Sequence, residues 1–156
     1  MTEGRLPFFV YGTLLPGEHN HDRFLRGRTR EERPAVLPDA LLYEGPGYPY
    51  AVEGHGTVHG SLVTAEPGAY AELLGLLDDL EQYLGQDHPR NLYERVARPV
   101  LPVRAAPGAG AGTPEPVRAW VYLAATAVAR SLRTGGTPVP GGDWLSRRPP
   151  PAPRTP

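Results

Sequence analysis

The stretch AYAELLGLLDDLEQYL, residues Ala69–Leu84, carries the clearest secondary-structure signal in the chain. Its leucines recur at the i, i+3, i+4 and i+7 spacing of one helical face, which predicts an amphipathic helix packed on a core. Gly85 follows directly and is expected to end this helix. The rest of the chain is a series of short apolar segments separated by glycine and proline. The pattern predicts an α+β fold, with a sheet or small barrel covered by one principal helix.

The short apolar segments are interpreted as strands, most of them consecutive and antiparallel. The predicted strands are Leu6–Tyr11, Ala35–Tyr43, Tyr48–Val52, Thr57–Thr64, Tyr93–Arg104 and Val117–Leu123. Two shorter helices are predicted at Asn20–Arg26, capped by Asn20 or the preceding histidine, and at Ala124–Arg133.

The chain has 156 residues, which suits one domain, here assigned to residues 1–147. The segment RPPPAPRTP, residues 148–156, contains too few apolar side chains to build a core and is expected to be a disordered tail. The segment PGAGAGTPEP, residues 107–116, is expected to form a long mobile hairpin loop between the last two strands.

The composition excludes several classes of chemistry. The chain contains neither cysteine nor lysine, so disulfides, thiolate metal sites, cysteine nucleophiles and Schiff-base lysines are absent. A net charge of −1 gives no basic surface for nucleic acid, and no apolar run is long enough to cross a membrane. No secretion signal is visible at the N-terminus, so a cytoplasmic protein is expected. An all-arginine basic complement is typical of a GC-rich bacterial genome.

One carboxylate of the helix points toward the core. At about 100° per residue, Glu81 falls between Leu77 and Leu74, inside the apolar stripe, whereas Asp79 falls on the opposite side. A core-facing glutamate needs either a raised pKa or a dedicated partner, and a raised pKa is what a general acid–base group requires. The structural alternatives are an ion pair, for example with Arg95, or a helix shorter than predicted.

The turn after the first strand is the second unusual place. There the buried strand runs directly into Tyr11-Gly12-Thr13-Leu14. Glycine allows a positive φ or a close backbone approach to a ligand, and successive N–H groups in such a turn can bind an anion. The alternative is a plain strand–turn connection.

These residues, with others in the same order, resemble the gamma-glutamylcyclotransferase superfamily and in particular its AIG2-like, gamma-glutamylamine cyclotransferase branch. The matching segments are Tyr11–Leu14, Pro16-Gly17, Asn20-His21, Gly47-Tyr48-Pro49, Val58–Leu62, Leu77–Glu81, Tyr93-Glu94-Arg95 and Gly142-Asp143-Trp144. The resemblance extends from about Leu6 to Trp144 and implies a small mixed β-barrel with a few helices. It also implies an enzyme that cyclises a gamma-glutamyl amine or amide to 5-oxoproline and releases the free amine.

The resemblance further implies roles for individual residues. Glu81 matches the catalytic acid–base of the family, the same residue that the helical wheel selects. Tyr11, Gly12, Thr13 and Leu14 match the loop whose backbone amides hold the gamma-glutamyl group. The strand tyrosines of this chain are interpreted as packing residues, but two of them stand beside family motifs and are expected to contact substrate: Tyr48 and Tyr93.

The reaction requires no cofactor, and none is expected. The histidine pairs His19/His21 and His55/His59 lack the context of a zinc site, so no metal is expected either. The expected partner is a small-molecule gamma-glutamyl substrate. Two other hypotheses stay open: a non-catalytic small-molecule or partner-binding module on the same fold, and a natural-product tailoring enzyme that removes a gamma-glutamyl protecting group.

Overall fold

The computed structural model describes residues 6–15, 17–18, 20–45, 48–103 and 115–146. The central part of the predicted hairpin loop (107–116), the predicted tail (148–156), the motif residues Pro16 and Gly47, and His19 lie outside these ranges.

Five strands form a closed barrel. They are β1 (Phe8–Val10), β2 (Thr29–Glu44), β3 (Pro49–Ala65), β4 (Tyr93–Pro102) and β5 (Val117–Ala124). Their order is β1-β3-β2-β4-β5, and the barrel closes where β5 pairs in parallel with β1 and with β3. The other pairs are antiparallel. The predicted α+β class and the small mixed barrel are confirmed.

The helices lie outside the sheet. The principal one is α1 (Tyr70–Leu80), and α2 (Thr126–Gly135) follows β5. The short helix predicted at Asn20–Arg26 is present as a helical segment over His21–Leu25. The remaining helical turns are Pro67–Ala69, Pro140–Gly142 and Trp144–Ser146.

The predicted strand boundaries around the first hairpin were wrong. The segments predicted as two strands, Tyr48–Val52 and Thr57–Thr64, belong to the single strand β3, and β2 begins at Thr29 rather than Ala35. The glycines between the two segments lie inside β3 in a bulge, where residues 54–56 lie against the single β2 residue Asp39, whose φ is +60°. A Cβ on Gly54 would lie 2.7 Å from the end of the Leu41 side chain. A Cβ on Gly56 would meet that side chain at 2.7 Å and also the Ala40 carbonyl oxygen at 2.9 Å, so glycine is favoured most strongly at Gly56.

The principal helix ends earlier than predicted, at Leu80 instead of Leu84. Gln82 adopts a left-handed φ of +57°, its N–H donates to the Asp79 carbonyl, and the Tyr83 N–H donates to the Asp78 carbonyl. These two bonds form a Schellman motif, with Glu81 as the last half-helical residue and Gln82 in the position that glycine usually occupies. The helix therefore stops before Gly85 is reached.

Strand β1 is buried on both faces, which explains its continuous apolar sequence. Phe9 and the following Tyr11 belong to the core inside the barrel. Phe8 and Val10 belong to a second core, which α1 covers with Leu73 and Leu77. The two cores meet along β1, so the chain leaving β1 emerges beside the C-terminal end of α1.

Candidate functional site

A cavity of about 150 Å³ lies where the turn after β1 meets the end of α1. All seven residues that the sequence nominated line it: Tyr11, Gly12, Thr13, Leu14, Tyr48, Glu81 and Tyr93. Other residues of the wall were not nominated, among them Asn20, Gln82 and Tyr122. The volume suits a group the size of one amino acid rather than a drug-sized ligand.

The turn after β1 offers free backbone donors. The Leu15 N–H donates to the Gly12 carbonyl at 3.0 Å, which closes a tight turn. Within the described residues, the N–H groups of Gly12, Thr13 and Leu14 donate to no backbone carbonyl. Three such groups on successive cavity residues form a site suited to an anion or a developing oxyanion.

Glycine is required at position 12 because of crowding rather than φ. A Cβ there would lie 2.6 Å from Cδ of Pro49, the first residue of β3, whereas the φ of Gly12 is not positive. A positive φ at Gly12 is therefore not found, and a close approach of its backbone to a ligand stays a prediction. The neighbour is the proline on the opposite wall of the cavity.

Asn20 fixes the shape of this turn. Its side-chain amide donates to Thr13 Oγ1 at 2.9 Å, and its N–H donates to the Thr13 carbonyl at 3.1 Å. Asn20 is 8% exposed and makes no side-chain capping bond to the helix that follows it. The predicted capping role was therefore wrong, because the amide bonds back to Thr13 instead. The sequence did carry a signal for this role, namely an asparagine shortly after the strand–glycine–threonine turn.

Glu81 lies at the end of α1 with a desolvated carboxyl. Part of the residue reaches the surface, yet burial raises the pKa of the carboxyl to about 7. Among the described residues, no side chain donates a hydrogen bond to Glu81 or forms an ion pair with it.

The predicted alternative in which Arg95 pairs with Glu81 is wrong. The Arg95 guanidinium binds Asp78, one turn earlier on α1, with Nε at 2.9 Å from Oδ1 and Nη2 at 3.3 Å from Oδ2. Asp78 lies at the border of the apolar stripe, where it meets β4 of the barrel wall. Asp78 thus has a cationic partner, whereas Glu81 has none among the residues that the structure describes.

Four tyrosines surround the cavity, here called the tyrosine cage: Tyr11, Tyr48, Tyr93 and Tyr122. The Tyr11 hydroxyl donates to the Tyr122 carbonyl at 2.5 Å and accepts the Ala51 N–H at 3.2 Å. These bonds tie β1 to both of its neighbours, so Tyr11 faces the cavity with its ring. Its predicted contact with substrate therefore involves the ring and the backbone.

Two other cage hydroxyls, those of Tyr93 and Tyr122, are also engaged. Tyr93 donates to the Pro49 carbonyl at 2.6 Å, and Tyr122 donates to Asp78 Oδ1 at 2.6 Å. Burial raises the pKa of the Tyr11, Tyr93 and Tyr122 hydroxyls, and the nearby Glu81 carboxyl adds to the effect in each. The phenols therefore stay protonated, with their hydrogens bound to protein acceptors. Nothing in the sequence distinguished Tyr122 from a packing residue, because its partner lies 44 positions away.

In the part of the chain that the structure describes, no group of three or more histidine, aspartate or glutamate side chains is arranged to hold a metal ion. None of the described helices is both long and apolar enough to span a bilayer.

Comparison with known proteins gives consistent results. The family model described as "Gamma-glutamyl cyclotransferase, AIG2-like" matches residues 8–146. The chain is 35% identical over 88 residues to the gamma-L-glutamyl-butirosin B gamma-glutamyl cyclotransferase of Niallia circulans, which covers 56% of this chain and 53% of that protein. It is 38% identical over 72 residues to a putative gamma-glutamylcyclotransferase of Vibrio cholerae, covering 46% of this chain and 61% of that one. The matched part is thus little more than half the length of each relative.

A solved structure agrees with the fold. An AIG2-like protein from Mus musculus superposes with a TM-score of 0.56 at 25% identity, covering 78% of each chain.

Proposed function

Because this chain belongs to the AIG2-like gamma-glutamyl cyclotransferase family, we propose that it cyclises a gamma-glutamyl amine or amide to 5-oxoproline and releases the free amine. One observation carries the proposal. A desolvated carboxyl with a pKa near 7, that of Glu81, shares a small cavity with three free backbone N–H groups at Gly12–Leu14. The carboxyl can move a proton, and the three N–H groups can hold a negative charge.

Glu81 is proposed as the general acid–base. With a pKa of about 7, a substantial fraction of Glu81 is ionised at neutral pH and can accept a proton from the substrate α-ammonium. The freed amine attacks the γ-carbonyl carbon, a C–N bond forms, and the oxygen takes up the negative charge. When the intermediate collapses, the bond to the leaving nitrogen breaks, and protonated Glu81 gives that nitrogen its proton. The attacking nitrogen loses two protons in all and the leaving nitrogen gains two, which yields 5-oxoproline and an ammonium ion.

The cavity suits the two ends of this substrate. The N–H groups of Gly12, Thr13 and Leu14 can hold the α-carboxylate or the developing oxyanion, as donors fixed in position before the reaction. The phenol oxygens of the cage and Glu81 are acceptors, which favours an ammonium group on that side. Cyclisation is unimolecular, so confinement of the folded-back conformer in about 150 Å³ contributes to the rate.

An amine-bearing natural product is a second candidate for the leaving group. The Niallia circulans relative is named for removal of a gamma-glutamyl group from butirosin B. By analogy, this chain would be a tailoring enzyme that removes a gamma-glutamyl protecting group from an amine-bearing natural product. The chemistry at Glu81 is the same, and only the group outside the cavity differs.

Release of 5-oxoproline from the purified protein tests the proposal. The panel contains gamma-glutamyl alkylamines, gamma-glutamyl-ε-lysine, a gamma-glutamyl aminoglycoside amide, gamma-glutamyl dipeptides and glutathione. Glu81→Gln is nearly isosteric and should lower turnover by about 10²–10⁴-fold. Glu31→Gln, at an exposed position of β2, is the matched control and should retain activity.

Either of two results would contradict the proposal. Unchanged turnover in Glu81→Gln would remove Glu81 from the chemistry. No release from any substrate by folded protein that nevertheless binds gamma-glutamyl compounds would identify the chain as a binding module.

A further inference from the structure

The ion pair between Arg95 and Asp78, which lies three residues before Glu81, has a feature that the cyclisation scheme does not use. Asp78 and Arg95 are mostly buried, with side chains 22% and 17% exposed. Asp78 Oδ1 accepts two hydrogens, one from Arg95 Nε at 2.9 Å and one from the Tyr122 hydroxyl at 2.6 Å. A simple anchor between α1 and β4 would need only the arginine.

The position of the Tyr122 hydroxyl explains why its bond to Asp78 matters for Glu81. Asp78 and Glu81 are three residues apart at the end of α1, and such residues are neighbours on a helix surface. Tyr122 and Glu81 line the same cavity. A hydroxyl bound to Asp78 therefore lies within about one helical turn of Glu81. It carries one hydrogen, and that hydrogen goes to Asp78.

The groups around Glu81 on the other elements follow the same pattern. Tyr11, directly after β1, and Tyr93 from β4 donate their hydroxyl hydrogens to backbone carbonyls. Tyr50 from β3 also lies in this region, where burial raises the pKa of its hydroxyl and the nearby Tyr48 and Glu81 add to the effect. On α1 itself, Asp79 is exposed. The oxygens of three cage tyrosines are thus left as acceptors.

We propose that Asp78 is a positioning residue that binds the Tyr122 hydroxyl hydrogen and thereby denies Glu81 a hydrogen-bond donor. Arg95 holds the Asp78 carboxylate in place, so the arrangement is fixed before substrate binds. A carboxylate that accepts no hydrogen bond from the protein stays basic, and the lone pairs of the phenols face the substrate ammonium. The catalytic meaning of this arrangement rests on the proposed function, but the arrangement itself does not.

Titration of Glu81 in the free protein tests the inference, with ¹³C NMR of protein labelled at the glutamate side-chain carboxyl and with Glu81→Gln to assign the signal. In Asp78→Ala the Tyr122 hydroxyl is free to donate to Glu81, and the pKa of Glu81 should fall by about one pH unit or more. Asp79→Ala removes the same charge from the adjacent, exposed position and should leave the pKa of Glu81 nearly unchanged. Asp78→Asn keeps an acceptor oxygen and should stay closer to the wild-type value.

The double variant Asp78→Ala/Tyr122→Phe separates the hydroxyl from the charges. Arg95 is unpaired in both Asp78→Ala and the double variant, so the difference between them isolates the Tyr122 hydroxyl. The pKa of Glu81 in the double variant should lie about one pH unit above that in Asp78→Ala. Equal pKa values in the two variants, or no fall in Asp78→Ala, would overturn the inference. Tyr122→Phe alone serves if Asp78→Ala does not fold, and it should leave the pKa of Glu81 within about half a unit of the wild type.

The same variants distinguish this inference from the proposed function. The NMR titration requires no substrate, so its outcome does not depend on turnover. If Glu81 is the general base, the acidic limb of kcat/KM should move to lower pH in Asp78→Ala together with the titration. A titration that moves while the rate profile stays fixed would support the role of Asp78 and count against Glu81 as the base.

Discussion

The desolvated carboxyl of Glu81 makes the stability of the fold depend on pH, and Glu81→Gln tests this dependence. Burial raises the pKa from 4.5 to about 7, so between these values the folded chain binds more protons than the unfolded chain. The contribution of the neutral carboxyl is therefore complete below pH 4.5 and is lost as the pH rises through about 7. Glutamine carries no titratable proton and keeps its contribution at every pH.

The magnitude follows from the pKa difference. Each pH unit corresponds to about 1.4 kcal/mol, so the free energy of unfolding of the variant, relative to wild type, should increase by roughly 3 kcal/mol across the window. Urea unfolding followed at a series of pH values from 5 to 8 measures this change. Any constant effect of placing an amide in the cavity cancels, because only the pH dependence of the difference is compared.

Glu31→Gln again provides the control, since its side chain is exposed and should show no comparable gain. A difference between Glu81→Gln and wild type that stays constant from pH 5 to 8, or that shrinks as the pH rises, would refute the reasoning. It would mean that the carboxyl is solvated or paired in the folded protein.

Two further substitutions test other parts of the fold and site. Gly142 has a φ of +66°, and a Cβ there would lie 2.0 Å from the Thr57 carbonyl oxygen, so Gly142→Ala should lower the free energy of unfolding by about 2–4 kcal/mol. Gly135→Ala is the control, because a Cβ at that position meets nothing within 4 Å. Equal urea midpoints for the two variants would contradict the expected loss of stability in Gly142→Ala. Asn20→Ala removes the donor to Thr13, so KM for a gamma-glutamyl substrate should rise about tenfold with a smaller change in kcat. Steady-state 5-oxoproline kinetics measure this, and an unchanged KM would show that the turn keeps its shape without Asn20.

The sequence predicted the parts of the fold that depend on local pattern. The leucine spacing predicted an apolar helix face made of Leu73, Leu74, Leu77, Leu80 and Leu84. Leu73 and Leu77 are buried as expected, whereas Leu84 lies beyond the end of α1 and is 57% exposed. The same spacing placed Glu81 next to the buried leucines. The continuous apolar run of β1 indicated a strand buried on both sides. In each case the pattern of apolar residues along the chain follows directly from which side chains are buried.

What escaped prediction depends on partners distant in sequence or on unusual backbone conformations. Gly54 and Gly56 suggested a break between strands, but they lie in a bulge of the continuous strand β3, opposite Asp39. Gln82 ends α1 in a left-handed conformation that favours glycine, so Gly85 was the more natural prediction. The bond from Tyr122 to Asp78 requires the register of β5 against α1, which no local pattern contains.

The C-terminal turn of the domain has a consequence for how the protein is made. Trp144 is 3% exposed in the barrel core, and its indole N–H donates to Glu18 at 3.3 Å, across 126 positions of sequence. Glu18 belongs to the loop that follows the Gly12 turn. On the ribosome, the N-terminal part of the site emerges first, but its loop reaches this partner only after nearly the whole domain has been synthesised. The contact that anchors Glu18 is therefore among the last that synthesis makes available, after every residue that lines the cavity has already been made.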